Sequence, residues 1–543
     1  MLTSAVLEAI SLALLSPFLS FIADHNATYQ VNHHSYSSYI LYLSNKFPEH
    51  FFLALTLILI FCLLLSGVTK LFLLYVNSTT SYSIGSYLSK KVYLNILKKP
   101  YLFHTQNNSS ELSFLISAQV NSIPYNIILP CMNILSGIIT IFLILFILLV
   151  LNPKMGLIAI LGFSSIYLLI YLNIFSKLQF HSKNLAVTSN KVAKILDDGL
   201  GSIRDVKLGF LENFYSGLFE DQDRKLKSSY VKVALMSNIP KFSVETFSMC
   251  FVCFLAYLYS GENNSALISS IGVLLLASYK LLPALQQVYS AFVTIIASNY
   301  VLTDVLKPLY DVGVIKHSNN FDENFKKTFF LKNIFFGYRK NSNVINGISL
   351  KINKGESIAI IGKSGSGKTT LLDIIMGLIK PEGGEIIIDG KKKDQLRYKI
   401  SHVPQNIYLA DISIKENIAF GIRPSLIDMN MVKESAKLAC IDVFIESLPN
   451  KYDSAVGERG VLLSGGQIQR LGIARAIYSK PEILIIDEGT SALDSETELK
   501  IIESLRQIAK KTTLIISTHR LNNLKLCKKV YRISKGKINL VKM

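Results

Sequence analysis

The stretch best suited to chemistry is Gly362-Lys363-Ser364-Gly365-Ser366-Gly367-Lys368-Thr369-Thr370. It follows a strand-like run, Ser357 to Ile361, and opens an apolar helix from about Leu371 to Leu378. A glycine-rich loop between strand and helix aims successive backbone N–H groups, and the positive helix end, at a chain of phosphates. Lys368 then reaches the outer phosphates and the hydroxyl of Thr369 ligates Mg2+. A nucleoside triphosphate with Mg2+ is therefore the expected ligand pair. Further along, Ile483-Leu484-Ile485-Ile486 reads as a buried strand ending in Asp487 and Glu488. Asp487 suits the Mg2+ shell; Glu488 suits orienting and deprotonating an attacking water. Leu463-Ser464-Gly465-Gly466-Gln467 is a second glycine-rich turn, placed before a helix over residues 468–478, and hence a second anion-binding helix end. One domain with two such ends, only one of which carries lysine, points to a nucleotide shared with another subunit.

These residues occupy the second half of a 543-residue chain, which is too long for one core. Residues 327–543 alternate strands, helices and charged loops in the manner of a soluble α/β domain. Residues 1–300 carry long apolar runs, and residues 301–326 read as a linker. A membrane-spanning helix needs about 20 mostly apolar residues. Six segments qualify: 2–22, 51–76, 127–151, 155–175, 242–259 and 266–296. The connections at 23–50, 151–154 and 260–265 are short and poor in Lys and Arg, whereas those at 77–126 and 176–241 are long and rich in them. The positive-inside bias places the long connections, and the domain that follows, in the cytoplasm. Helical periodicity continues through both long connections, so each pair of helices turns at a cytosolic tip, near 100–110 and near 199–209.

The formal charge of +19 fits basic loops beside a membrane. No zinc spacing, RNA-binding signature or basic helix–turn–helix accompanies it, so nucleic acid is not an expected partner. Of the six cysteines, Cys250 and Cys253 form a C-x-x-C inside an apolar run, which reads as helix packing rather than redox chemistry.

Taken together, the chain resembles an ATP-binding-cassette half-transporter of the exporter class: an α-helical polytopic membrane domain with six spans, then an α/β P-loop NTPase cassette. The resemblance covers nearly all of it. It implies ATP hydrolysis coupled to transport by two cassettes paired head-to-tail, in a homodimer or in a heterodimer with a similar chain. Ser464 and Gly466 would then contact the γ-phosphate on the partner's Gly362–Thr370. Tyr338, in Phe336-Gly337-Tyr338, matches the aromatic that stacks on adenine. Gln405, in Val403-Pro404-Gln405, matches the loop that senses Mg2+. Ser491-Ala492-Leu493-Asp494 matches the loop crossing the dimer interface, and His519 the switch histidine at the γ-phosphate. Val456–Gly460 resembles a segment that exporters place against the membrane-domain tips. Gly489 and Ile468 depart from the usual alanine and basic residue, and neither removes a reacting group.

Cargo must be read from the membrane half, where ionisable residues are functional candidates. Lys280 lies inside the sixth span; Lys70 and Lys241 lie near the inner boundary. Asn238–Glu245 and Tyr279–Pro283 resemble lipid-linked oligosaccharide flippases and surface-polysaccharide exporters, which usually carry arginine at Lys241 and Lys280. The resemblance implies a multi-pass protein of a bacterial inner membrane moving an amphipathic anion, such as a polyprenyl-pyrophosphate glycan, out of the cytoplasmic leaflet. Peptide, bacteriocin or another lipid is the competing cargo, and an ATP-gated channel the competing function. Met1 falls inside the first apolar run, with no Lys or Arg before Lys46, so either the start is misassigned, or the chain is shortened, or the helix begins within the membrane; if Met1 is the native start, insertion or stability of the first span should be impaired. Glu8 in that span either faces a cavity or packs on a polar neighbour.

Overall fold

The computed structural model describes residues 1–23, 51–151, 153–258, 265–310, 325–339, 342–393, 398–489, 494–518, 520 and 524–541. It forms two compact units, Met1–Lys99 with Gln106–Val314, and Pro100–Thr105 with Ile315–Met543.

The first unit is helical: α1 (Leu2–Ala23), α2 (Phe51–Leu97), α3 (Tyr101–Gln106, most of which counts with the second unit), α4 (residues 109–151), α5 (Pro153–Gly201), α6 (Ile203–Leu208), α7 (Glu212–Leu258), α8 (Ser265–Ala297) and α9 (Asn299–Tyr310). Helix is the form expected of a lone apolar segment in lipid, because every backbone group must be satisfied within it. All six apolar segments are helical over their described residues. Among the described residues, four helices are long and apolar enough to cross a membrane: Phe52–Leu97, Ser109–Val150, Ile160–Gly201 and Ser278–Ala297, with Leu2–Leu15 as a shorter apolar helix. At 47 residues, α2 is about 70 Å long, roughly twice the hydrocarbon thickness. Its polar end therefore lies beyond the apolar layer. Leu64, Leu71 and Phe72 point outward from α2, a pattern suited to lipid rather than water.

Side-chain contacts inside the bundle are local. Leu12, Ile144, Leu148 and Leu281 join α1, α4 and α8, and Leu178 packs on Tyr289 and Val293 of α8. Gly137 permits a close approach: a Cβ there would sit 2.5 Å from Val288 Cγ2. α4 holds two π-helical stretches, Leu115–Val120 and Pro124–Ile128. Proline lacks the N–H that a regular helix would use, and Ser81 Oγ donates to the Pro124 carbonyl at 2.6 Å. The expected tips are short helices, α3 after Pro100 and α6 after Ser202. Residues 301–310, read from sequence as linker, instead complete α9, where Val301 and Val305 pack on Val92 and Ile96 of α2.

The second unit carries the parallel sheet that positions the phosphate loop. Its strands are β1 (Thr328–Arg339), β2 (Ser342–Asn353), β3 (Ser357–Ile361), β4 (Gly383–Ile388), β5 (Lys391–Lys392), β6 (Ile400–Val403), β7 (Ile483–Asp487), β8 (Thr513–Ser517), β9 (Lys529–Ser534) and β10 (Lys537–Val541). They form an antiparallel sheet of order β2-β1-β4-β5 and a six-stranded sheet of order β10-β9-β3-β8-β7-β6. β9, β3, β8, β7 and β6 are parallel, and β10 is antiparallel. Strands buried on both faces read as unbroken apolar runs, as β3, β7 and β8 do. The helices are α10 (Lys368–Ile375), α11 (Ile414–Ile418), α12 (Met429–Leu438), α13 (Asp442–Ser447), α14 (Gly465–Tyr478) and α15 (Ser495–Ile508). Leu371, Leu372 and Ile375 of α10 cover one face of the sheet; Leu471 and Ala474 of α14 cover the other. Loops leaving the carboxyl ends of parallel strands thereby meet on one edge, where ligands bind in such folds.

Candidate nucleotide and cargo sites

The phosphate loop joins β3 to α10. Gly365 and Gly367 have φ of +74° and +103°, values a side chain rarely tolerates. A Cβ on Gly362 would lie 2.6 Å from the Ile533 carbonyl oxygen. Lys368 opens α10, and its Nζ donates to Gly362 O at 2.7 Å and Lys363 O at 3.4 Å, across the mouth of the loop. Ser366 Oγ is a buried hydroxyl with no partner among the described residues, which fits a phosphate oxygen as its acceptor. Lys363, Ser364 and Thr370 complete the loop, with Thr370 buried on α10.

Thr369 Oγ1 lies 3.4 Å from Asp487 Oδ2 at the end of β7. A hydroxyl and a carboxylate converging beside a phosphate loop are hard oxygen donors, and so fit Mg2+. Glu488 follows in a left-handed backbone, φ +50°, anchored by its N–H on Ser517 O at 2.9 Å. Its Oε2 accepts from Gln405 Nε2 at 2.8 Å. The two residues assigned to water activation and Mg2+ sensing therefore touch. Burial, with the negative Asp487 nearby, pushes the carboxyl of Asp373 up to about 6. Neither Asp373 nor His402 was singled out from sequence. The imidazole of His402 stands on β6, its Nε2 buried and without a partner among the described residues, and burial holds its pKa below the usual value. Their signal was a polar residue in an apolar run, which single-sequence reading does not separate from a surface position.

Tyr338, at the end of β1, is half-exposed; its hydroxyl lies 3.2 Å from Thr370 Oγ1, and Phe336 meets its ring edge-on at 5.1 Å. An exposed ring held beside the phosphate loop suits adenine stacking, worth about 1–3 kcal/mol per base. Tyr338→Ala should raise the KM for ATP about tenfold, whereas Tyr338→Phe should stay near wild type; equal KM values in both variants would remove the stacking role.

Ser464 caps α14. Gln467 N donates to Ser464 Oγ at 3.3 Å, and Ser464 N donates to Gln467 Oε1 at 2.8 Å, a reciprocal capping box. This fixes Gly465 and Gly466 at an open helix end. Asp494 caps α15 by accepting from Thr497 N at 2.9 Å, and that bond holds its carboxyl below the usual range. His519 and Ser491–Leu493 lie outside the described residues. The departures from the family pattern fit their surroundings. A Cβ on Gly489 would sit 2.8 Å from Ile486 Cγ2 and 3.0 Å from Val403 Cγ1, and Ile468 packs against Gly460.

The three lysines fall in two places within the helical unit. Lys70 pairs with Glu8, and Lys280 donates to Ser11 Oγ and, at 3.3 Å, to Glu8 O. Of the two sequence readings of Glu8, the structure selects the polar neighbour. Lys241 instead lines a cavity of about 190 Å3 with Tyr167, Glu245, Ser248, Tyr279 and Gln286. Cys250 and Cys253 are exposed on this single chain rather than packed within it.

Family profiles match both halves: residues 1–303 match the ABC transporter transmembrane region and residues 345–491 match ABC transporter. The chain belongs to the ABC transporter family. This transporter is 30% identical to "ABC transporter B family member 29, chloroplastic" of Arabidopsis thaliana over 82% of its own length and 72% of the relative's. It is 42% identical to "ATP-dependent lipid A-core flippase" of Legionella pneumophila (strain Paris), over 38% of its own length and 36% of that protein's. The second likeness is confined to the nucleotide-binding domain. A solved bacterial Atm1-family ABC exporter with ATP bound shares the fold, with a TM-score of 0.74 and 23% identity over all of this chain and 95% of that one. The transporter is thus a membrane-bound ABC exporter and an ATPase whose hydrolysis is coupled to transport.

Proposed function

We propose that the transporter is a homodimer that flips an anionic, lipid-linked glycan out of the cytoplasmic leaflet of a bacterial inner membrane by alternating access across six spans per chain. The observation that carries the cargo reading is the placement of Lys70, Lys241 and Lys280 on apolar helices, with Lys241 at the wall of a cavity that also offers Tyr279 and Gln286. Ionisable groups at membrane depth are costly and are retained for pathways. A largely apolar wall that carries Lys241, with Glu245 one turn further along the helix, suits an amphipathic lipid whose acidic headgroup meets the lysine. The flippase relatives add support only through the cassette, so the membrane half must decide.

In the motor, the amides of Gly362–Thr370 and Lys368 bind the phosphates and Tyr338 holds the base. Mg2+ would be held by Thr369 and Asp487, with Gln405 beside them, and would offset charge on the phosphoryl oxygens. Glu488 takes the proton from the attacking water. His519 would hold the γ-phosphate. Ser464–Gln467 of the partner close the site, with Asp494 at the seam. The α6 tip leaves Leu208, Phe210 and Leu211 exposed, Phe210 at 85%, an apolar knob suited to a partner's cassette.

Proteoliposomes test the cargo. ATPase stimulation by a lipid-linked glycan, above that by lipopolysaccharide precursors or peptides, is the expected ranking. Lys280→Gln should lower that stimulation at least tenfold. Stimulation by peptides alone would replace the proposal.

A further inference from the structure

Glu8, Ser11, Lys70 and Lys280 form a polar cluster inside the apolar bundle. Glu8 and Ser11 occupy one turn of α1 and are 7% and 0% exposed. Glu8 Oε1 accepts from Lys70 of α2, while Lys280 of α8 donates to Ser11 Oγ and to the Glu8 main-chain oxygen. Leu12, Ile144, Leu148 and Leu281 pack into an apolar cluster on the neighbouring turns of α1, α4 and α8. Lys280 thus bonds two neutral oxygens, and the one carboxylate goes to Lys70. Two ammonium groups and one carboxylate leave a formal charge of +1 where an unbalanced charge is costly. The Lys70 side chain is 52% exposed, so an incoming anion has access to its ammonium.

We infer that Glu8 is a selectivity residue: by cancelling one of two positive charges, it matches the cluster to a singly charged phosphodiester and against a diphosphate. A phosphodiester brings the site to neutrality, whereas a diphosphate diester overshoots by one negative charge beside the fixed carboxylate of Glu8. Without Glu8 the site would carry +2 and suit the diphosphate. The same chemistry belongs to a lipid headgroup and to a free phosphate ester, and lysine, a point charge, recognises either by charge rather than by a bidentate fork. The inference rests on the reading of these lysines as cargo-binding, and it deepens that reading by naming the headgroup.

The test is direct binding to the full-length transporter in neutral detergent micelles, with dioctanoylphosphatidylglycerol and the methyl diester of farnesyl diphosphate as lipid probes and dimethyl phosphate and P1,P2-dimethyl diphosphate as their free counterparts. Wild type should prefer the singly charged lipid. Glu8→Gln should move the ratio of the two affinities about tenfold toward the diphosphate, and Glu8→Asp should leave it unchanged. Lys70→Gln should weaken both probes about tenfold. A Glu8→Gln protein that weakens or keeps both probes alike overturns the inference, because a packing role has no charge preference. If Glu8→Gln does not fold, Lys280→Gln, which brings the cluster to zero, must lose the singly charged lipid; retention overturns the inference equally. Free esters binding as well as the lipids would assign the site to soluble phosphate. Selective binding without ATPase stimulation by the bound lipid keeps the selectivity and removes the cargo reading. Stimulation by a lipid-linked glycan with an unmoved ratio does the reverse.

Discussion

Changing Glu488 to Gln should lower steady-state ATP hydrolysis by about 10³ while leaving ATP binding close to wild type, in line with the roughly 10²–10⁴ that a positioned proton acceptor supplies. The substitution preserves shape and one oxygen acceptor, so the 2.8 Å bond from Gln405 can persist. The backbone at this position is held by Ser517 O and keeps its φ of +50°, neither of which depends on the carboxylate. What is lost is the proton acceptor. The phosphate loop, Lys368 and Tyr338 are untouched, so nucleotide should accumulate unhydrolysed and hold two cassettes together. Size-exclusion chromatography with ATP–Mg2+ should show a stable nucleotide-bound dimer, and turnover should be near background. Turnover within threefold of wild type would remove Glu488 as the base and pass the role to a neighbour, with Asp487 next in line. The Gln405 contact adds a second expectation. Because Gln405 touches the Glu488 carboxylate but its amide cannot take the proton of the water, Gln405→Ala should lower turnover less than Glu488→Gln does.

The nucleotide chemistry was legible in the sequence because it is local. A glycine forced to φ +103°, a lysine one residue on and a strand ending in Asp487 are all fixed within a few residues of chain. The parallel sheet was legible for a related reason: strands buried on both faces have no polar alternation to disguise them. The membrane half was less so. Apolar length reveals that α2 and α8 cross an apolar layer, and counting along them gives depth. It does not give rotation, and rotation decides partners. Glu8 meets Lys70 across 62 residues and Ser11 meets Lys280 across 269, separations with no local signature. That is why three lysines of equal standing in sequence divide into an internal charge cluster and a cavity wall. Residues 301–310 read as linker because polar positions interrupt them, yet Val301 and Val305 recur at helical spacing and give α9 an apolar stripe to bury. The π-helical stretches of α4 were invisible for want of any composition rule beyond Pro124.

Two single variants, each inactive alone, should restore activity when mixed. Lys368→Ala removes the cation that reaches the outer phosphates, and Ser464→Arg fills the open end of α14 without touching the same chain's phosphate loop. In a head-to-tail dimer each nucleotide lies between one chain's Lys368 and its partner's Ser464. A Lys368→Ala homodimer therefore has two sites without the lysine, and a Ser464→Arg homodimer has two sites with a blocked signature. In the mixed dimer both lesions fall on one site and the other site is wild type. Random assortment makes half of all dimers mixed, each with one intact site of two, so nucleotide trapped with vanadate should recover to roughly a quarter of the wild-type amount. The geometry that motivates this is the capping box. Ser464 and Gln467 spend their hydrogen bonds on each other, which leaves the helix end and its N–H groups at Gly465 and Gly466 facing outward. A helix N-terminus with an exposed glycine approach is suited to a phosphate, which in the proposed dimer the second chain would bring. Failure of the mixture to trap nucleotide above either variant alone, with mixed dimers confirmed by tagged co-purification, would mean that the signature serves its own chain. The homodimeric reading of the motor would then be lost.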